Sequence, residues 1–192
     1  MQELKERIIK EGKVLPGNII KVDGFLNHRI DTELMDHIAV EFGKHFNMDE
    51  VTMILTAEAS GIALSAIVAQ HFHKPMIFAK KAKSDNIEGG LLQSEIFSYT
   101  YKKKVTLLVS KEWIRPEDKV LVIDDFMANG EAMRGLCDIV EKSGATLVGI
   151  GCAVEKGFQG GGDRLRKAGV NLKSLAIIES AEPGNIVFRD EA

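Results

Sequence analysis

The stretch Lys119-Val120-Leu121-Val122-Ile123-Asp124-Asp125-Phe126-Met127-Ala128-Asn129-Gly130-Glu131-Ala132 decides how the chain is read. Val120 to Ile123 form the strongest strand signal in the sequence and carry two adjacent carboxylates to its end. A turn of small residues follows. From Glu131 to Ser143, Met133, Leu136, Cys137 and Val140 recur at helical spacing and are predicted to be buried, and Gly144 closes the helix. Free backbone N–H groups at a helix start, reinforced by the helix dipole, make an anion site. Gly130 places no Cβ between the backbone and a phosphate. Asp124 and Asp125 suit ribose hydroxyls or a magnesium ion, which takes oxygen ligands. Together these features favour a phosphate–ribose site over an ordinary Asp-rich turn.

Working outward, strands and helices alternate in both directions. Val51–Leu55 reads as a buried strand, followed by a helix from Ile62 to His71 and a strand over Pro75–Ala79. A polar stretch, Lys80 to Gly90, leads into two alternating segments, Leu92–Thr100 and Lys104–Ser110, that can pair as a hairpin. Beyond the opening stretch come a strand over Thr146–Val154, a short helix over Asp163–Ala168 and a last core strand over Leu172–Ile178. On the N-terminal side, residues 2–11 suit a short amphipathic helix with Leu4, Ile8 and Ile9 as candidates for its inner face. Ile19, Ile20 and Val22 suggest a strand or arm. Asp31 can cap a helix from Thr32 to Phe46 whose apolar face is Leu34, Met35, Ile38, Phe42 and Phe46. This order predicts an α/β fold with a doubly wound, mostly parallel sheet. Nothing marks a linker, so residues 1–192 read as one domain.

Composition narrows the function classes. Twenty-five Lys and Arg against 28 Asp and Glu give a net charge of −3, which argues against a globally basic nucleic-acid binder. The N-terminus is charged from the start, and no apolar run approaches the ~20 residues that cross a bilayer. A soluble, cytoplasmic protein without nucleic-acid or membrane partners is expected. Cys137 and Cys152 lie in apolar segments without disulfide or metal spacing and are predicted to be buried thiols. His71-Phe72-His73 resembles a metal pair without a third ligand, and His28, His37 and His45 have no evident catalytic partner. No metal site is assigned to protein side chains.

Two further strand ends carry chemistry-bearing residues, where open parallel sheets bind ligands. Thr56-Ala57-Glu58-Ala59-Ser60-Gly61 forms a small-residue turn before a helix, a second potential anion cradle. Val154-Glu155-Lys156-Gly157-Phe158 offers a lysine donor for an exocyclic oxygen and an aromatic face on Phe158. On spacing alone, this last segment reads rather as a Glu155/Lys156 surface pair beside a core phenylalanine.

The acidic pair and its loop resemble those of type I phosphoribosyltransferases. Ala128-Asn129-Gly130-Glu131 resembles the variant found in the xanthine-specific bacterial branch, and so does the arm Ile20-Lys21-Val22-Asp23-Gly24-Phe25-Leu26-Asn27-His28. The resemblance covers the chain from the Leu4 helix through the Leu172–Ile178 strand. It implies a hood within residues 1–30 that closes over a purine, and a flexible hairpin lid over residues 80–110. It implies that Asp124 and Asp125 are catalytic, that Ile20, Asn27 and Lys156 contact xanthine, and that Ala128, Asn129, Gly130, Glu131 and Ala132 bind the 5-phosphate of the ribosyl donor. Glu58, Ala59, Ser60 and Gly61 become the diphosphate loop. Among the lysines flanking the lid (Lys80, Lys81, Lys83 and Lys102–Lys104), Lys81 is the expected phosphate contact. Family loops commonly carry Thr or Ser at the positions of Asn129 and Ala132, and Ser at those of Ala59 and Gly157. Backbone N–H groups must therefore do more of the phosphate binding, and the Glu131 carboxylate is expected to point outward.

The implied reaction joins xanthine to 5-phospho-α-D-ribose 1-diphosphate (PRPP), giving xanthosine 5′-monophosphate and diphosphate. Magnesium, bound mainly through PRPP, is the expected cofactor, and a homodimer the expected assembly. Guanine or hypoxanthine as secondary substrates, and a general-base role for Asp125, stay open. A purine salvage enzyme preferring adenine or guanine is one alternative. A PRPP-sensing regulator is another, though such regulators usually append a DNA-binding domain and only a short helix precedes the arm here.

Overall fold

The computed structural model describes residues 1–81, 90–98 and 103–189. The chain opens with helix α1 (Gln2–Glu11), strands β1 (Lys13–Leu15) and β2 (Ile19–Lys21), and a π-helical turn over Asp23–Asn27. Next come α2 (Thr32–Gly43), β3 (Met53–Ala57), α3 (Gly61–His71) and β4 (Met76–Ala79). The antiparallel pair β5 (Leu91–Ser98) and β6 (Lys103–Ser110) follows, then β7 (Lys119–Met127), α4 (Glu131–Ser143) and β8 (Thr146–Lys156). The last elements are α5 (Gly161–Lys167), β9 (Leu172–Glu182) and β10 (Asn185–Phe188).

The central sheet has the order β10-β9-β8-β7-β3-β4, parallel except for β10. Its strands are apolar on both sides because both sides are covered. In β7, Leu121 and Ile123 belong to the core shared with α2 and α3. Val120 and Val122 belong to the core shared with α4 and the β5–β6 hairpin. All four are fully buried. The helices after the neighbouring strands β3 and β7 thus serve opposite faces, which opens a crevice at the strands' carboxyl ends.

Local signals set most element boundaries. Asp31 accepts from the Leu34 N–H at 3.2 Å and caps α2 as expected. Arg7 of α1 donates to the same carboxylate at 2.9 Å. These two contacts hold the Asp31 carboxyl below the usual carboxylate range, the backbone donor contributing most. Gly144 ends α4 with φ +80°.

Several expectations need correction. Ile9 is 63% exposed, since a ten-residue helix at the sheet margin buries only the stripe of Leu4 and Ile8. Helix α2 stops at Gly43, and Phe46 packs just beyond it, its N–H bonded to the Phe42 carbonyl. Cys137 is only half-buried; Met133, Leu136 and Val140 are buried as expected, joined by Gly135 and Ile139. Partial burial still raises the Cys137 thiol to about 11. Strand β3 begins at Met53 rather than Val51, and β7 runs past the acidic pair to Met127. Strands β1 and β10 were not anticipated from the sequence. Both are short strands in antiparallel pairs with their chain neighbours, β1 with β2 and β10 with β9.

Candidate active site

A cavity of about 530 Å³ lies at the carboxyl ends of β3 and β7. Asp124 and Asp125 stand there within β7, 6% and 1% exposed. The β7–β8 pairing continues beside them, from Asp124 opposite Cys152 to Met127 opposite Glu155. The acidic pair is therefore strand-held rather than loop-held.

Asp125 joins segments far apart in sequence. Its Oδ1 accepts from the Ser60 hydroxyl at 2.9 Å, and its Oδ2 accepts from Asn27 Nδ2 at 3.1 Å. The Asp125 N–H donates to Asp124 Oδ1 at 3.0 Å. Burial pushes the Asp124 carboxyl well above the ordinary carboxylate range, the neighbouring Asp125 adds to this, and Lys81 opposes it. Gly61 is required where it stands. A Cβ there would lie 2.2 Å from both Asp124 Oδ1 and the buried Thr56 Oγ1.

The turn after β3 lies beside the pair. Glu58 and Ser60 line the cavity, and the Glu58–Ala59 peptide bond is cis. Glu58 Oε1 accepts from the Lys81 N–H, and Lys81 also lines the cavity. Ala59 and Gly61 belong to the same turn but do not line the cavity.

The turn after β7 forms the opposite wall through Ala128, Asn129, Gly130, Glu131 and Ala132. Gly130 has φ +76°, a left-handed conformation that favours glycine. The Glu131 carboxylate turns toward the hairpin and its own helix. It accepts from the Phe97 N–H at 3.3 Å and pairs with Arg134 at 3.1 Å. Arg134 is the main reason that the Glu131 carboxyl sits below its usual range.

The hood and the end of β8 complete the cavity. Ile20 and Asn27 line it from the hood, and Lys156 lines it from β8. Lys156 donates to the Asn18 carbonyl at 3.0 Å, and its ammonium lies 5.4 Å from the centre of the Phe126 ring. Burial pulls its pKa below the ordinary lysine value.

Two expectations for residues 154–158 are overturned. Phe158 packs against the core and does not line the cavity, whereas Phe126 does. A residue one position past the acidic pair faces the crevice because β7 continues there. Glu155 is not part of a surface pair. It is fully buried, with Arg166 donating to it at 2.6 and 3.1 Å and Ser174 bonding to the same carboxylate. Gly162 makes room for that network, since a Cβ there would lie 2.1 Å from Glu155 Oε1. The run Gly160-Gly161-Gly162 beside two arginines was the available signal in the sequence. Gly157, where a serine was expected, has a steric reason: a Cβ there would lie 2.9 Å from Ile177 Cγ2. Lys83 and Lys102 lie outside the described residues. Lys104 pairs with Glu95, and Lys80 bridges to Leu108 through its backbone. Among the histidines, His71 pairs with Asp36 at 2.7 Å and His37 with Glu3 at 3.0 Å, both away from the cavity.

Two small-residue turns, an acidic pair and the N-terminal arm meet at one crevice, and the phosphoribosyl transferase domain model matches residues 26–175. The chain belongs to that family. Its similarity is high to curated proteins named xanthine phosphoribosyltransferase. The one from Lachnoclostridium phytofermentans is 52% identical over the full length of both chains. That from Alkaliphilus metalliredigens is 47% identical over all of this chain and 95% of its own. Among solved structures, the adenine phosphoribosyltransferase of Giardia lamblia complexed with 9-deazaadenine superposes with a TM-score of 0.78. It is 22% identical and matches 93% of this chain and 98% of its own. The enzyme from Rhodothermus marinus gives 0.74 at 21% identity, matching 93% and 100%. At these identities the structural likeness speaks for the fold alone.

Proposed function

We propose that the protein converts xanthine and PRPP to xanthosine 5′-monophosphate and diphosphate, as one domain spanning residues 1–192. The observation that carries this reading is the convergence on a single cavity of the acidic pair, both small-residue turns, the hood and Lys156. Full-length similarity to xanthine phosphoribosyltransferases supports xanthine as the base.

The reaction displaces diphosphate from ribose C1 by purine N9, through a centre with oxocarbenium character. Positioning and electrostatics account for such catalysis. Backbone groups of residues 128–132 hold the 5-phosphate at the start of α4. Asp125 and Asp124 take the ribose hydroxyls, and the Asp125 carboxylate faces the developing positive centre. Ser60 and its turn, with Lys81, receive the diphosphate. The Lys156 ammonium has three donors, one of them used by the Asn18 carbonyl, so others remain for an oxygen of xanthine. Asn27 orients the base beside it, and Ile20 covers its apolar face. The hood excludes water that would otherwise hydrolyse the donor.

Magnesium suits this site as an ion that arrives with PRPP. It prefers oxygen ligands and keeps several waters, so it would be held mainly through PRPP; among the described residues no three His, Cys, Asp or Glu side chains group to hold a metal ion. When bound, it neutralises charge on the leaving diphosphate. Among the described residues, no helix is long and apolar enough to cross a membrane. We place the enzyme in the cytoplasm as a homodimer, a reading that rests on the family resemblance.

Steady-state assays with xanthine, guanine, hypoxanthine and adenine, with and without magnesium, test this function. The highest kcat/KM is expected with xanthine, with little turnover after magnesium removal. An equal or greater value with another base would refute the xanthine assignment.

A further inference from the structure

We propose that Arg164 is a positioning residue for the phosphate loop, holding the Asn129–Gly130 peptide in its binding orientation. The inference rests on reading residues 128–132 as the site of the 5-phosphate. Helix α5 begins in direct contact with that loop. A Cβ on Gly161 would lie 2.3 Å from the Ala128 carbonyl oxygen and 2.6 Å from the Gly130 nitrogen. One turn into α5, Arg164 Nη2 donates to the Asn129 carbonyl at 3.0 Å, and Nη1 reaches the Gln159 carbonyl at 3.4 Å. The peptide between Asn129 and Gly130 is trans, so its N–H points opposite to the carbonyl that Arg164 grips. A cation on the carbonyl side polarises the unit and strengthens that N–H as a donor to an anion.

This loop needs such help. It carries Asn129 and Ala132 instead of hydroxyl side chains, and it includes the acidic Glu131. Arg134 pairs with Glu131 directly, and the charge of Arg164 acts on the same carboxylate. Arg166, two residues on, faces elsewhere and is committed to Glu155, Asp163 and Ser174. Arg164 is thus the arginine of α5 that serves the loop.

The test uses full-length Arg164→Ala and Arg164→Lys enzymes. KM is measured for PRPP and for xanthine, together with the melting temperature. Arg164→Ala is expected to raise the PRPP KM about five- to tenfold, with the xanthine KM within about twofold, as for loss of one charge-assisted hydrogen bond. The melting temperature should be nearly unchanged because the side chain is exposed. Lysine should restore part of the PRPP affinity. An unchanged PRPP KM, or an equal rise in both constants with a fall in melting temperature, would overturn the proposal. Ala132→Asp separates it from the underlying reading, since a carboxylate there suits the helix start but repels a phosphate. If that variant leaves the PRPP KM unmoved, the loop is not the phosphate site and both readings fail. If it raises the PRPP KM while Arg164→Ala is silent, only the role of Arg164 fails.

Discussion

Asp124 and Asp125 are neighbours in sequence with different circumstances. Asp125 accepts from Ser60 and Asn27, whereas Asp124 is walled in by Gly61 and Thr56. The pKa of Asp124 is raised in the folded state, so the folded protein binds that proton more tightly than the unfolded chain. Stability therefore falls as pH rises above the ordinary carboxylate range toward the raised value. Asp124→Asn keeps an oxygen for the Asp125 N–H and removes this penalty. We expect a higher melting temperature than wild type at pH 8, the difference shrinking toward pH 4, while kcat falls about 100-fold, typical of losing one electrostatic group. A thermal-shift series across pH, run beside turnover assays, checks both arms. Gly61→Ala should cost about 1–3 kcal/mol by overpacking against Asp124 and Thr56, measured by urea unfolding, with a loss of turnover. The acidic pair was legible because it follows an apolar run and precedes a glycine-bearing turn. Their division of roles was not, because it depends on Ser60, Asn27 and Gly61 arriving from elsewhere.

Elements divide along the same line. The helix over Thr32–Gly43 was readable because its cap and its apolar stripe are both local. Asp31→Ala should cost about 1 kcal/mol in chemical denaturation, a typical N-cap loss. Because the Asp31 pKa is depressed, its contribution is present at neutral pH and is lost as pH falls through the folded value. The wild-type advantage over Asp31→Ala should therefore vanish in acid. The hairpin was also readable from alternation, but its seat was not. Arg134 and Lys142 of α4 donate to the carbonyls of Glu95 and Gln93 at 2.8 Å, and Gly135 admits Ile96 and Leu107. The buried network of Glu155, Arg166 and Ser174 left only a trace in sequence, a glycine run beside arginines. Its members come from β8, α5 and β9.

At the scale of the molecule, the N-terminal arm is clasped to the sheet at the cavity, by Lys156 on the Asn18 carbonyl and Asn27 on Asp125. Lys156→Ala should raise the xanthine KM about tenfold and leave the PRPP KM within about twofold, the signature of a base contact rather than a donor contact. Preference for xanthine over guanine should fall with it. Light scattering should give twice the chain mass of 21.1 kDa, and a value equal to one chain would remove the homodimer. Periodicity, caps and glycine-bearing turns, all interactions within a dozen residues, were enough to place most elements and both strand-end turns. The partners of each functional group were decided by the fold. The place of Phe126 rather than Phe158 at the cavity, the contact of Ser174 with Glu155 and the grip of Arg164 on the Asn129 carbonyl all depend on packing between separate elements. Only the packed sheet brings those residues within hydrogen-bonding range.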